Sequence, residues 1–560
     1  MSRGGWSRQQ HILFSALTFL LLTAILYIPQ HSHNSNKHKD PAMSGGPRKV
    51  GYFTGWSIYA RKFEPSQVAV EKLTHVNYGF VKLDENDQIA LVDPWADIQK
   101  EFAGTEYAAD DMRGNIGEFN NKNGTARSRN PRLRTLVSVG GWTLSGGFSP
   151  MAGDAHRRRR FVQSVGEFLA KYRFDGIDID WEHPVEGGMD GTAHSPHDGH
   201  NYLVLLRELR AHLDSSAVPR PRFGRHEISI ATSAAPAVYR HLDLGSIAHV
   251  VDHINIMAYD YAGPWSPVTG HQQNLFRPSA GDFGLAGNDT VSDFLQRGVP
   301  PEKIVLGVGF FGRGFANVSA ERVGAAPPGL GCPFSGSPPG TWEQGVFDYK
   351  ALRAAHLREG SGYAVHWDDA AKAPVLYSAS DRVMISFDDP VAVSWKADYV
   401  LRRRLGGIMI WELSQDYGTE LLDKICEYLG QSPRRDFENL RKLDDAKWGD
   451  LVGIDELGNR YYRNATERYG RERWCVPAAS PRYMDASQIP PRWHSWLHKT
   501  TDEVPRATPQ EDSAFLCRPK WMAFPHYENY TCTNKASVTY NTVRPKVGSW
   551  DPAVAERSSS

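Results

Sequence analysis

The sequence predicts an α/β protein built on a (β/α)8 barrel, with a small α+β subdomain inserted before the last barrel strand and a small, mostly irregular and β C-terminal domain. Three observations predict it. From residue 49 onward, eight short apolar runs alternate with amphipathic stretches, and parallel strands need such crossover segments. The gap between the seventh and eighth runs is too long for one helix. Near residue 430 the composition changes, from barrel-like alternation to a crowd of charges.

The eight predicted strands are Val50–Thr54, His75–Phe80, Arg134–Val139, Gly176–Trp181, Glu227–Thr232, His253–Ala258, Ile304–Phe310 and Gly407–Glu412. Among the stretches between them, Arg160–Tyr172 places Phe161, Val162, Val165, Phe168 and Leu169 on one helical face. The insertion is expected at 316–395. Residues 430–447 read as a charged linker or solvated helix, and a Trp-rich segment follows from about 448 to 553, with a hairpin turning at Gly458-Asn459.

The N-terminus has its own signature. Arg3 and Arg8 precede an uncharged apolar run from Ile12 to Ile28, near the length that spans a bilayer. Residues 1–29 read as a signal anchor with the positive flank in the cytoplasm, or alternatively as a cleaved signal peptide; 30–48 is a polar linker. The bulk of the chain is then expected on the lumenal or outer side. Asn123, Asn288, Asn317, Asn464 and Asn529 begin sequons that would be glycosylation candidates there.

Composition excludes some classes. Lys+Arg and Asp+Glu both number 64 in 560 residues, so nothing points to nucleic acid. Five cysteines make no dense disulfide framework and no zinc motif, and leave one or two disulfides open. His194, His197 and His200 invite a metal reading, but Pro196 and Gly199 interrupt them, and no metal or cofactor is expected. The run Arg157–Arg160 opens an amphipathic helix and reads as a solvated face.

The chemistry lies in Asp175-Gly-Ile-Asp178-Ile-Asp180-Trp-Glu182. Side chains alternate along a strand, so Asp178, Asp180 and Glu182 share one face and Ile177, Ile179 and Trp181 the other. Carboxylates facing a barrel interior are costly to bury, and each raises the pKa of its neighbours until one can hold a proton near neutral pH. Glu182 comes last, at the C-terminal end where such barrels do their chemistry. Asp175 has the wrong parity and reads as structural.

This motif resembles that of glycoside hydrolase family 18, the chitinases and their relatives. Ser138-Val-Gly140-Gly141, Met257-Ala-Tyr259-Asp260 and Trp411 resemble that family's third-, sixth- and eighth-strand motifs, in order. The resemblance implies a substrate-assisted retaining hydrolase of chitin or chito-oligosaccharides, in which the substrate's acetamido group replaces a protein nucleophile. Glu182 would be general acid and then base. Asp180 would hold the acetamido group, Asp178 would share a proton with Asp180, and Tyr259 would polarise the same acetamido group. Trp411 would floor the sugar site. Met257, Asp260, Trp142, Tyr52, Trp56, Gly140 and Gly141 complete the set expected to bind substrate. Trp56, Trp142 and Trp265 are open between sugar stacking and packing. His183 stands where the family often has tyrosine, and Phe311 where an aromatic hydroxyl is common. The rival class is a chitin-binding lectin on the same barrel.

The C-terminal segment, with Pro490-Pro-Arg-Trp493-His-Ser-Trp496-Leu-His498 and Arg544-Pro-Lys-Val-Gly-Ser-Trp550, is similar to a small accessory subunit family of mitochondrial NADH–ubiquinone oxidoreductase. That resemblance implies respiratory complex I as a partner and the inner mitochondrial membrane as a place, which conflicts with a lumenal or exterior barrel. A true fusion and a merger of two adjacent genes both remain open.

Overall fold

A computed structural model describes residues 46–319, 323–430, 450–455, 459–463, 472–476 and 489–505. The apolar run at 12–28, most of the 30–48 linker, the charged stretch after 430, Gly458, Trp550, Cys517, Cys532 and the sequons at Asn464 and Asn529 lie outside these residues. The chain divides into two compact units between Leu429 and Gly430.

The first unit is a closed barrel. Its parallel strands are β1 (Arg48–Thr54), β2 (His75–Leu83), β4 (Arg134–Gly140), β5 (Gly176–Asp180), β6 (Glu227–Ser233), β7 (His253–Met257), β8 (Ile304–Gly309) and β14 (Gly407–Trp411), with β3 (Ile89–Leu91) turning back antiparallel on β2. They run in chain order around the ring, and β1 closes it by pairing with both β2 and β14. All eight expected strands are present.

Alternation divides the apolar residues between two cores. Ile177, Ile179, Ile228, Ile230, Ile254 and Ile256 face outward and are fully buried under the helices. The inward positions form a separate cluster of Val50, Tyr52, Val305 and Met409, joined by Phe80, Met257, Tyr259 and Trp411 toward the C-terminal end. At the N-terminal end Glu227 meets His75 and Arg134, at 2.9 and 2.7 Å, and their charges hold its carboxyl far below the usual range against the effect of burial.

The amphipathic stretch forms a helix over Ala155–Tyr172. Asp154 caps it by accepting from the His156 and Arg157 amides, and Arg173 ends it in the left-handed conformation. The arginine run is not simply a solvated face. Arg157 and Arg160 both pair with Asp87, and Arg158 with Glu208, because the β2–β3 turn presents Asp87 to the start of the helix.

The insertion is a five-stranded antiparallel sheet in the order β10 (Val346–Asp348), β9 (Phe311–Phe315), β13 (Val383–Ser386), β12 (Ala373–Ser378) and β11 (Ala364–Asp368). It starts earlier and ends sooner than 316–395. Strand β9 follows β8 after a single residue, so the two read as one apolar run. Beyond β13, Asp389 caps the helix Pro390–Arg402, which packs on β8 and β14 as part of the barrel.

In the second unit, β15 (Asp450–Ile454), β16 (Arg460–Arg463) and β17 (Arg473–Val476) form an antiparallel sheet. Tyr461 lies flat on Trp493, with ring centroids 3.9 Å apart, and edge-on to Trp496. Both tryptophans are buried, so they are core residues here rather than an exposed stacking platform.

Candidate active site

The site is built on the inward row of β5. Asp178, fully buried, lies at its base. Ser138 and Tyr52 each donate a hydroxyl to its Oδ2 at 2.7 Å; Ser229 donates to Oδ1 at 2.6 Å and Asn255 at 3.3 Å. Burial raises the Asp178 pKa while these four donors oppose the rise. They hold the Asp178 carboxyl in place from four other strands of the ring.

Asp180 sits one layer up. Its Oδ1 is buried and has no hydrogen-bond partner. Burial, then Glu182, then Asp178 push its pKa well above the carboxylate range. Glu182 follows at the mouth. Burial first and the charge of Asp260 second raise its pKa to about 8. Beside it, His183 has Nε2 3.7 Å from Oε2 of Glu182, and burial lowers its pKa to about 4, so near neutrality it stands uncharged.

Ser145 was not legible as a site residue. Its hydroxyl oxygen accepts from the Glu182 amide at 2.9 Å and lies within donating distance of the carbonyls of Gly141 and Asp180, at 2.8 and 3.1 Å. It thereby ties the end of β5 to the loop after β4. Gly140 and Gly141, expected to touch substrate, also allow that approach. Both have positive φ, 108° and 81°. A Cβ on Gly140 would overlap the Asp180 carbonyl, and one on Gly141 would come within 2.8 Å of the Phe80 ring. Tyr52 is also a support: it is buried, donates to Asp178, and packs edge-on to Trp411 at 5.4 Å.

Above the carboxyl row, Tyr259 stands edge-on to Phe311, and its hydroxyl meets Met409 Sδ at 3.9 Å. Asp260, in the left-handed conformation at φ 61°, accepts from Arg313 Nε at 2.6 Å. Trp411 is half-buried and stacks on Phe80 at 5.7 Å. Met257 packs into the same interior cluster.

Trp56, Trp142 and Trp265 are 47%, 51% and 61% exposed, which decides against packing. Each follows the C-terminal end of a barrel strand, Trp56 after β1, Trp142 after β4 and Trp265 after β7. Aromatic faces are therefore presented on the same side as Glu182. Among the described residues no group of three His, Cys, Asp or Glu could hold a metal ion. No helix among them is long and apolar enough to cross a membrane.

The family model for glycosyl hydrolases family 18 matches residues 48–416, and that for NADH ubiquinone oxidoreductase subunit NDUFA12 matches residues 449–552. Chitinase A1 of Niallia circulans is 36% identical over 413 residues, covering 67% of this chain and 57% of that protein. Endochitinase 1 of Metarhizium robertsii is 34% identical over 413 residues, covering 73% of this chain and 91% of that protein. Among solved structures, chitinase ChiA74 from Bacillus thuringiensis superposes with a TM-score of 0.62 at 28% identity, over 77% of this chain and 79% of that one. The Ostrinia furnacalis Group IV chitinase in complex with allosamidin superposes with a TM-score of 0.58 at 28% identity, over 69% of this chain and 98% of that one.

Proposed function

The chain belongs to the glycosyl hydrolases of family 18, and from that premise we propose that it hydrolyses β-1,4-linked N-acetylglucosamine polymers with retention at the anomeric carbon. The observation that carries this reading is Glu182: a carboxyl at the C-terminal end of β5 whose pKa of about 8 keeps it protonated near neutrality. It gives that proton to the glycosidic oxygen as the bond to the anomeric carbon breaks. The acetamido oxygen of the same sugar attacks that carbon, forming a cyclic oxazolinium. Asp180, with its unpartnered Oδ1, receives the acetamido N–H, and the Tyr259 hydroxyl donates to the acetamido oxygen. Glu182, now ionised, takes a proton from water as the water opens the ring. Asp178, held beneath by its four donors, shares a proton with Asp180, and Trp411 lies under the sugar.

The test is to incubate the full chain with a soluble chitin tetramer and follow the product anomer by NMR. Initial β anomer supports the mechanism and initial α anomer rules it out. Binding without cleavage at any pH would favour the lectin reading, against which the intact acid already argues. We infer further that the barrel faces the lumen or the exterior, on the strength of the N-terminal apolar run alone. Protease protection in sealed microsomes tests that; digestion of the barrel from the cytosolic side would overturn it. The C-terminal segment is taken as non-catalytic, and partnership with respiratory complex I is carried only by the family likeness.

A further inference from the structure

On the face of the barrel opposite Glu182, the segments leading into β4, β5 and β6 enclose a pocket of about 610 Å³. That volume lies within the range of small-molecule sites, roughly 300–1,000 Å³. Five cationic side chains line it (Lys122, Arg127, Arg173, Arg220 and Arg222) against one acid, Asp175. Arg222 is answered: it donates to Asp175 Oδ2 at 2.8 Å and to the carbonyls of Leu133 and Pro131 at 2.7 and 3.2 Å.

Arg127 is answered only in part. Arg127 is only 6% exposed, yet its Nε has no hydrogen-bond partner. Its Nη2 makes only long contacts, 3.4 Å to Thr135 Oγ1, 3.5 Å to Asn120 Oδ1 and 3.6 Å to Asp175 Oδ2. Lys122, Arg173 and Arg220 make no ion pair among the described residues, and Arg173 and Arg222 both repel Arg127. Arg127 thus keeps one buried N–H without an acceptor beside the exposed cations Lys122, Arg173 and Arg220, a cost that an anion in the pocket would offset.

We propose that this pocket is a binding site for a small organic phosphate. A phosphate monoester brings about −1.5 to −2 charge and three acceptor oxygens at neutral pH, so one group answers several of these cations, whereas a carboxylate brings a single charge. Arg127 supplies the buried donor at the floor, Arg173, Arg220 and Lys122 surround the oxyanion, and Pro131 and Pro219 offer apolar walls to the organic part.

The full chain is titrated calorimetrically with inorganic pyrophosphate and with phenyl phosphate. Saturable one-to-one binding is expected, weakened at least about tenfold in the double variant Arg173→Gln, Arg220→Gln, as for loss of one charge-assisted contact. Arg127→Gln should abolish it; because that residue is buried, circular dichroism must first show the variant folded, and the surface double variant stands on its own if it is not. Hydrolysis of a chitin tetramer should be unchanged in the double variant. Co-sedimentation with phosphatidylcholine vesicles, with and without phosphatidic acid, separates the sources. Soluble binding with inert vesicles assigns a free phosphate, and vesicle binding lost in the double variant assigns a lipid headgroup. Absence of binding in both arms, or binding that the substitutions leave unaltered, overturns the proposal.

Discussion

Asp260 Oδ1 lies 2.6 Å from Arg313 Nε, and through this pair the inserted sheet reaches the barrel's acid. Arg313 is on β9 of the insertion; Asp260 follows the end of β7 and is the charge that adds to burial in raising the Glu182 pKa. Arg313 in turn lies over the ring of exposed Trp265, 4.9 Å from its centroid.

Replacing Asp260 by Asn should therefore move a pH profile. Cleavage needs Glu182 protonated, so kcat/KM should fall as pH rises through about 8. The Asn variant removes a neighbouring negative charge and leaves Arg313 uncompensated, and both changes lower the pKa of Glu182. The alkaline limb should shift to lower pH. A limb that stays in place would show that Asp260 does not act on Glu182.

Glu182→Gln and Asp180→Asn should each depress turnover on unactivated oligomers by about 10² or more, with binding of a chitin tetramer largely kept. Near-normal turnover in either variant would sink the assigned roles.

The same substitution should stabilise the fold at alkaline pH. Glu182 has a folded pKa of about 8, above the ordinary 4.5, so the folded state holds a proton that the unfolded state has released. Stability from this group is complete below about pH 4.5 and is lost as pH rises through about 8, on the order of a few kcal/mol. Glu182→Gln does not titrate. Its melting temperature should exceed that of the natural chain at pH 8.5, and the gap should shrink toward pH 4. A gap independent of pH would contradict the linkage.

Gly140→Ala should destabilise by at least about 2 kcal/mol, because it adds left-handed backbone strain to a clash with the Asp180 carbonyl. Activity should fall with it. Gly146→Ala, with nothing within 4 Å of the new Cβ, is the control and should leave both unchanged. Chemical denaturation of the two variants makes the comparison.

The C-terminal segment is expected to add nothing to hydrolysis. Residues 40–560 and 40–430 should act equally on crystalline chitin and on a soluble tetramer. A loss on the crystalline substrate alone would restore a chitin-binding role for the tail.

The carboxyl row was legible because strand parity is a local property: once Gly176–Asp180 is a strand, Asp178 and Asp180 must share a face. The eight barrel strands were legible because each is a short apolar run set between amphipathic stretches, which is also a local pattern. What was not legible depends on contacts distant in sequence. Ser145 sits in a short 3-10 turn with no pattern of its own, 37 residues before the Glu182 amide it accepts from. Tyr52, Ser138, Ser229 and Asn255 come from four strands, and only ring closure brings them onto one carboxylate. The close approach of the Asp180 carbonyl and the Phe80 ring to Gly140 and Gly141 is likewise invisible in their motif, because both neighbours come from other strands. The insertion's edges were missed where one residue separates β8 from β9.

The ring is closed by β1 and β14, and this has a topological consequence for what the chain can carry. Strand β1 begins at the N-terminal face, and the helix Glu420–Leu429 that follows β14 runs back toward it: Cys426 Sγ lies 3.4 Å from the carbonyl oxygen of Lys72, just ahead of β2. The polypeptide therefore enters and leaves the barrel away from the Glu182 end. A tether before Arg48 or a graft after Leu429 joins the barrel away from the loops that carry Trp56, Trp142 and Trp265. The catalytic end is thus built from strand ends and the segments that follow them, and neither point of entry or exit takes part in it.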